Sequence, residues 1–177
     1  VPTSFVAILL LVVSFISISN GRFLSQNTTT LSSVFTQALS AALNADRDLY
    51  QAHSALLDLM LASQLNQDEL SSAIIADYEE NVQQAKDRLA KVLNVTGDYG
   101  SVAGKAKSYQ LDFDKWTTVN QRVIEQVQVG QVRQAAREYR EQGMPLFDTL
   151  RGNFDRVGEE IKLLSDEITQ QNLSSSN

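Results

Sequence analysis

Hydrophobic residues recur four and three apart along most of this chain. Leu31, Phe35, Ala38, Ala42, Ala45, Leu49, Ala52, Leu56 and Leu59 form the first such seam, and Leu39, Leu43, Tyr50, Leu57 and Met60 run beside it. Alternating spacings of three and four put side chains on one face of an α-helix, the pattern of bundle and coiled-coil packing. The polar stretch at 64–68 predicts a turn. Ile75, Tyr78, Val82, Ala85, Leu89 and Val92 make the seam of a second helix, which Gly97 and Gly100 end. A third seam runs through Val102, Ala106, Tyr109, Phe113, Trp116, Val123 and Val127. Asn120 interrupts it, and one buried polar residue often fixes register. Gly130 suits a left-handed helix end. The fourth seam holds Phe147, Leu150, Phe154, Val157, Ile161, Leu164 and Ile168.

Short turns make successive helices antiparallel. The predicted fold is all-α, an antiparallel up-down-up-down four-helix bundle with helices at about 22–64, 68–94, 101–129 and 131–172. Two stripes on helix one imply two partners: its own bundle and a second copy of the chain. A homodimer through helix one is therefore expected.

The first residues differ from the rest. Thr3 to Ser19 carries no charge, and its polar residues are only Ser and Thr. A spanning helix needs about 20 apolar residues. The run starts at Val1 without a basic flank, which reads as the remainder of a span whose start lies upstream. A signal peptide would show a basic n-region and a small-x-small cleavage site, and neither is visible. A buried core helix would have to be apolar on all sides. Residues 1–20 are expected to be a truncated first transmembrane helix that continues into helix one, and 21–177 the four-helix bundle outside the membrane. Helix four returns to the side where helix one began, so a second span is expected after Asn177.

Composition then removes chemistry. There is no cysteine, so thiolate metal sites and cysteine nucleophiles are excluded. One histidine, His53, excludes sites that need two imidazoles. A net charge of −6 argues against nucleic acid as a partner. No nucleophile–base pair, metal cluster or phosphate loop is readable, so no enzyme activity, cofactor or metal is expected.

The local strings add a resemblance. Asn44-Ala45-Asp46-Arg47-Asp48-Leu49-Tyr50-Gln51-Ala52 lies on helix one, and Trp116-Thr117-Thr118-Val119-Asn120-Gln121-Arg122-Val123-Ile124 leads to the Gly130 turn. Gly143-Met144-Pro145-Leu146-Phe147-Asp148-Thr149-Leu150-Arg151 lies on helix four. In order and spacing these resemble the periplasmic four-helix-bundle sensor (ligand-binding) domain of bacterial methyl-accepting chemotaxis proteins, over residues 1 to 177. The resemblance implies a sensory module of a transmembrane chemoreceptor in the bacterial inner membrane, with residues 21–177 in the periplasm. It implies pairing through helix one, capture of a small solute or a solute-loaded binding protein, and a helix displacement passed to a cytoplasmic signalling region that this chain does not contain. A histidine-kinase sensor and a membrane-tethered dimerisation spacer without ligand are the alternatives. Aspartate and serine receptors of the family hold a ligand carboxylate with arginines near the far end of helix one. Here helix one has no arginine or lysine between Arg47 and Gln64.

Helical rise places His53, Tyr78, Thr118 and Arg140 at about one height, with Tyr50, Trp116 and Tyr139 within about a turn. The candidate ligand residues are Arg47, Tyr50, His53, Arg137, Tyr139 and Arg140. Arginine suits planar recognition of carboxylates, so an anionic small molecule is the expected ligand class. Plainer readings stand beside these. Tyr78 and Trp116 sit on core seams and read as packing. Arg133, Arg137 and Arg140 read equally as a solvated face with salt bridges to Glu138 and Glu141. Arg47 reads as an ion-pairing residue, and His53, off the main seam, as a half-exposed or interface histidine or a pH sensor. Asp77, Glu79 and Glu80 read as a solvated acidic face. Pro145, preceded by Gly143, removes a helix hydrogen bond and is expected to kink or interrupt helix four, passively or as a signalling kink.

Overall fold

The computed structural model describes the backbone of residues 2–97 and 100–174, and side chains from residue 33 onward except 68, 98–101, 103, 105–107, 168 and 171–173. Helix α1 spans Pro2–Gln64 without a break. The expected membrane span at 1–20 has a helical backbone from Pro2, but its side chains lie outside the described residues. Among the described residues, no helix is long and apolar enough to cross a membrane.

The chain leaves α1 through a turn in which Asn66 takes a left-handed conformation (φ 55°), which asparagine tolerates better than most residues. A short 3-10 turn, Asp68–Leu70, leads into α2, Ser71–Val95. Thr96 closes α2 by returning both its amide (3.0 Å) and its hydroxyl (2.6 Å) to the Val92 carbonyl. Helix α3, Gly100–Gln128, ends in a Schellman turn. There Gly130 sits at φ 80°, its N–H meets the Val127 carbonyl at 2.9 Å, and the Gln131 N–H meets that of Gln126 at 2.8 Å. The fourth helix has three parts: α4, Val132–Glu138; a π turn, Tyr139–Gly143; and α5, Met144–Ser174.

The helices form the expected antiparallel bundle, with α1 beside α2 and α5, and α3 beside α2 and the fourth helix. No strand occurs among the described residues. Most seam residues form the core, with Leu49, Leu56, Trp116, Val123 and Leu150 fully buried; Ile75, Val82 and Leu164 are half-buried, and the side chains of Leu31, Ala106 and Ile168 lie outside the described residues. An aromatic column runs through the core. Tyr109 packs on Phe154 (4.1 Å between ring centres), Phe113 and Tyr78 on Trp116, and Trp116 on Phe147. The second stripe of α1 is left outside only in part: Leu43, Tyr50 and Leu57 are 65%, 52% and 42% exposed, with Leu61 (52%) beside them, whereas Met60 is buried and Leu39 half-buried against the core. Two ion pairs tie α1 to its neighbours. Buried Asp48 sits between Arg47 (2.9 Å) and Arg88 of α2 (2.8 Å), and Asp46 pairs with Arg151 of α5 at 3.0 Å. The Arg88 contact is an ion pair only, because Oδ2 of Asp48 lacks hydrogen-bond geometry.

Candidate functional site

The fourth helix departs from regular spacing where its chemistry concentrates. Its buried residues run Ala135, Tyr139, Gly143, Phe147, then Leu150, Phe154, Val157 and Ile161. Three successive steps of four contain about one residue more than three α-turns, and the chain absorbs that residue as a π turn. The Met144 N–H accordingly reaches back five residues to the Tyr139 carbonyl. Pro145 follows in the first turn of α5, where its missing N–H is tolerated. The interruption expected at Pro145 thus lies one turn before it.

Tyr139 points into the bundle. Its hydroxyl forms a hydrogen bond with Nδ1 of His53 on α1. The imidazole stacks on Phe147 at 4.0 Å and 15°. His53 is buried, not half-exposed, because the π turn brings Tyr139 and Phe147 around it. Burial lowers its pKa, outweighing the opposite influence of Asp148, so the ring is neutral. Burial likewise raises the Tyr139 phenol, and pushes Tyr78 up to about 12. Asn120, fully buried, faces Tyr78 and offsets part of that rise, yet neither of its amide atoms reaches hydrogen-bond geometry. From the other side, α3 grips the turn. Arg122 Nε donates to Glu138 (2.7 Å), Arg122 Nη2 to Gln142 (3.2 Å) and Gln126 Nε2 to Glu138 (2.7 Å). The Arg122 bond holds the Glu138 carboxyl below its usual range.

Outside this latch lies a groove of about 450 Å³ between α1 and the fourth helix. Leu57, Met60, Leu61 and Gln64 form one wall, and Val132, Arg133, Ala136, Arg137 and Arg140 the other. The three arginines are exposed and make no hydrogen bond or ion pair within the described residues. Of the two nearby carboxylates that could have neutralised them, Glu138 is held by α3, and Glu141 is exposed and makes no ion pair with them. A second cleft, about 540 Å³, lies between the two turns and is lined by Ser63, Asn66, Ser71, Ser72 and Gln128 over an apolar floor.

The description "four helix bundle sensory module for signal transduction" belongs to a family whose profile matches residues 2–175. The chain belongs to this family. No curated protein matches it at a significant level. The family of sensory modules is the one that the strings on helices one, three and four resemble, and it is a signal-transduction family, not an enzyme family.

In this sensory module the six candidate ligand residues fall into three places. Arg137 and Arg140 share the groove. His53 and Tyr139 meet in the core, while Tyr50 stands at its edge, 6.0 Å from the His53 ring and under the Arg151 guanidinium. Arg47 is turned toward Asp48, away from both. Equal height does not bring residues together when they point around the helix: Tyr139 and Arg140 are neighbours, but one faces the core and the other the groove. Tyr78 and Trp116 are core packing, and Asp77, Glu79 and Glu80 are exposed. The grip of Arg122 and Gln126 on the turn is not evident from heptads. The spacing from Ala135 to Phe147 is the signal that reveals the turn.

Proposed function

We propose that this sensory module is the ligand-binding part of a bacterial chemoreceptor and captures an organic anion, a carboxylate with an apolar body. The observation that carries this reading is the groove in which Arg133, Arg137 and Arg140, unpaired within the described residues, face Leu57, Met60 and Leu61. Guanidinium groups recognise carboxylates by paired hydrogen bonds, and an apolar wall favours a hydrophobic remainder. In this reading Thr3 to Ser19 anchors the chain in the inner membrane, and the bundle stands in the periplasm. Two copies pair along the exposed stripe of α1, so the groove, which shares Leu57 and Leu61 with that stripe, borders the pairing seam. A displacement of helix four carries the signal across the membrane to a cytoplasmic signalling region.

The test is calorimetric titration of the chain, held in lipid nanodiscs, with aromatic and aliphatic carboxylates. Arg137→Ala and Arg140→Ala should each weaken binding by about 1.5–3 kcal/mol, the range for hydrogen bonds to charged groups. Arg151→Ala and Arg156→Ala should have little effect, because Arg151 is committed to Asp46 and Arg156 to Gly152 and Asn153. Unchanged affinity in Arg137→Ala, Arg140→Ala and their double variant would place the site elsewhere.

A further inference from the structure

The latch and the groove are made by alternating residues of one short stretch. Arg137 and Arg140 face the groove, while Glu138 and Tyr139 are held by α3 and α1. A backbone movement that shifts the first pair shifts the second as well.

A regular helix would arrange this stretch differently. Continued upward from Phe147 at steps of four and three, the core face would pass through Gly143, Arg140, Ala136 and Arg133. Without the extra residue, then, two arginines of the groove turn toward the core and Tyr139 leaves it. A bare guanidinium resists that move because desolvating a charge is costly, whereas one paired with a carboxylate resists it less. The π register is therefore held by three things: uncompensated charge on Arg133 and Arg140, the Tyr139–His53 bond, and the space above Gly143. A Cβ there would collide with the Tyr139 ring.

We infer that the π turn at Tyr139–Gly143 is a one-residue register switch, latched by Tyr139 and His53 and released when an anion neutralises the groove arginines. The inference rests on the groove as the ligand site. It supplies the step between ligand and movement of α5: loss of one surplus residue rotates one side of the turn against the other by roughly 100° and shifts it by about 1.5 Å. An anion that pairs better with the released register shifts the population toward it, and by reciprocity a weakened latch tightens the anion.

Hydrogen exchange and benzoate titration on the chain in nanodiscs test this. Tyr139→Phe removes the latching hydroxyl and keeps the ring. Without ligand it should speed amide exchange at residues 143, 144, 146 and 147 by up to about tenfold, the worth of one buried hydrogen bond. Tyr109→Phe, which removes a buried hydroxyl that has no partner, is the control and should change nothing there. Benzoate should speed exchange at the same amides in the wild type, and Tyr139→Phe should bind benzoate severalfold more tightly though Tyr139 does not line the groove. Unchanged ligand-free exchange in Tyr139→Phe overturns the switch, as does benzoate binding that is weakened or unaltered by that substitution. If benzoate fails to bind the wild type, the ligand reading falls by itself and the ligand-free comparison still decides the switch.

Discussion

At the residue scale, Gly143 is the position whose side chain the fold cannot admit. In an ordinary helix interior, replacing glycine by alanine gains about 1 kcal/mol. Here the new methyl group would press on the Tyr139 ring, which is itself buried and bonded to His53. Overpacking of that kind costs about 1–3 kcal/mol, so Gly143→Ala should destabilise the protein, measured by denaturant unfolding. In a Tyr139→Ala background the same change should become favourable, because the obstacle is gone. His53 gives the second expectation. Its folded pKa lies below the usual 6.5, with Asp148, Arg151, Tyr50 and the Tyr139 hydroxyl around it. Protons then bind the unfolded chain more readily, so its contribution is intact above about pH 6.5 and is lost as pH falls below that value. The melting temperature should drop between pH 7.5 and 5.5, and His53→Gln should flatten that slope. An equal slope in both proteins would show that other groups set it.

At the element scale, the α1–α2 clamp is asymmetric. Asp48 is fully buried, whereas Arg47 and Arg88 keep 55% and 28% of their side chains exposed. Removing the carboxylate leaves two cations that can turn to water. Removing Arg88 leaves a buried anion with one partner. Breaking a buried pair in that way costs about 3–5 kcal/mol, and Arg47 should hold the loss near the lower end. Arg88→Met should therefore destabilise more than Asp48→Ala, again by denaturant unfolding, and the reverse order would refute the account. The elements themselves were legible because burying apolar stripes is what drives them together: Leu49, Leu56, Trp116 and Val123 are core residues both in the four-three pattern and in the fold. The irregular turn is read from the proline, not from the steps of four between Ala135 and Phe147 that carry it. Its place is missed that way, because Pro145 is compatible with a helix start and the surplus residue is taken up upstream. Burial of His53 was hidden for the same cause: its partners come from a face that regular spacing would assign elsewhere. The groove was half legible, since Arg133, Arg137 and Arg140 share a helical face, but whether Glu138 would neutralise them depended on Arg122 from another helix.

At the scale of the whole molecule, the uncovered stripe of α1 is the largest commitment the bundle leaves open. Leu43, Tyr50 and Leu57 repeat every seven residues, with Leu61 alongside. Cysteines at 43, 50 and 57 should crosslink two copies in membranes, and cysteines at exposed polar positions such as Gln51 and Asp58 should not. Uniform crosslinking, or none, would remove α1 as the pairing helix. The molecule also carries its own optical probe. Trp116 is the single tryptophan; it is fully buried against Phe147 and Tyr78, and its indole N–H faces the Tyr139 hydroxyl without reaching hydrogen-bond geometry. Emission from an indole shielded from water lies toward the blue, and the ring one contact beyond it, Phe147, is the one on which His53 stacks. A rearrangement of the turn that displaces Tyr139 or Phe147 should change the surroundings of that indole and shift its emission. Light from one side chain, with no label attached, should then report in real time whether a solute added outside has been felt in the centre of the bundle.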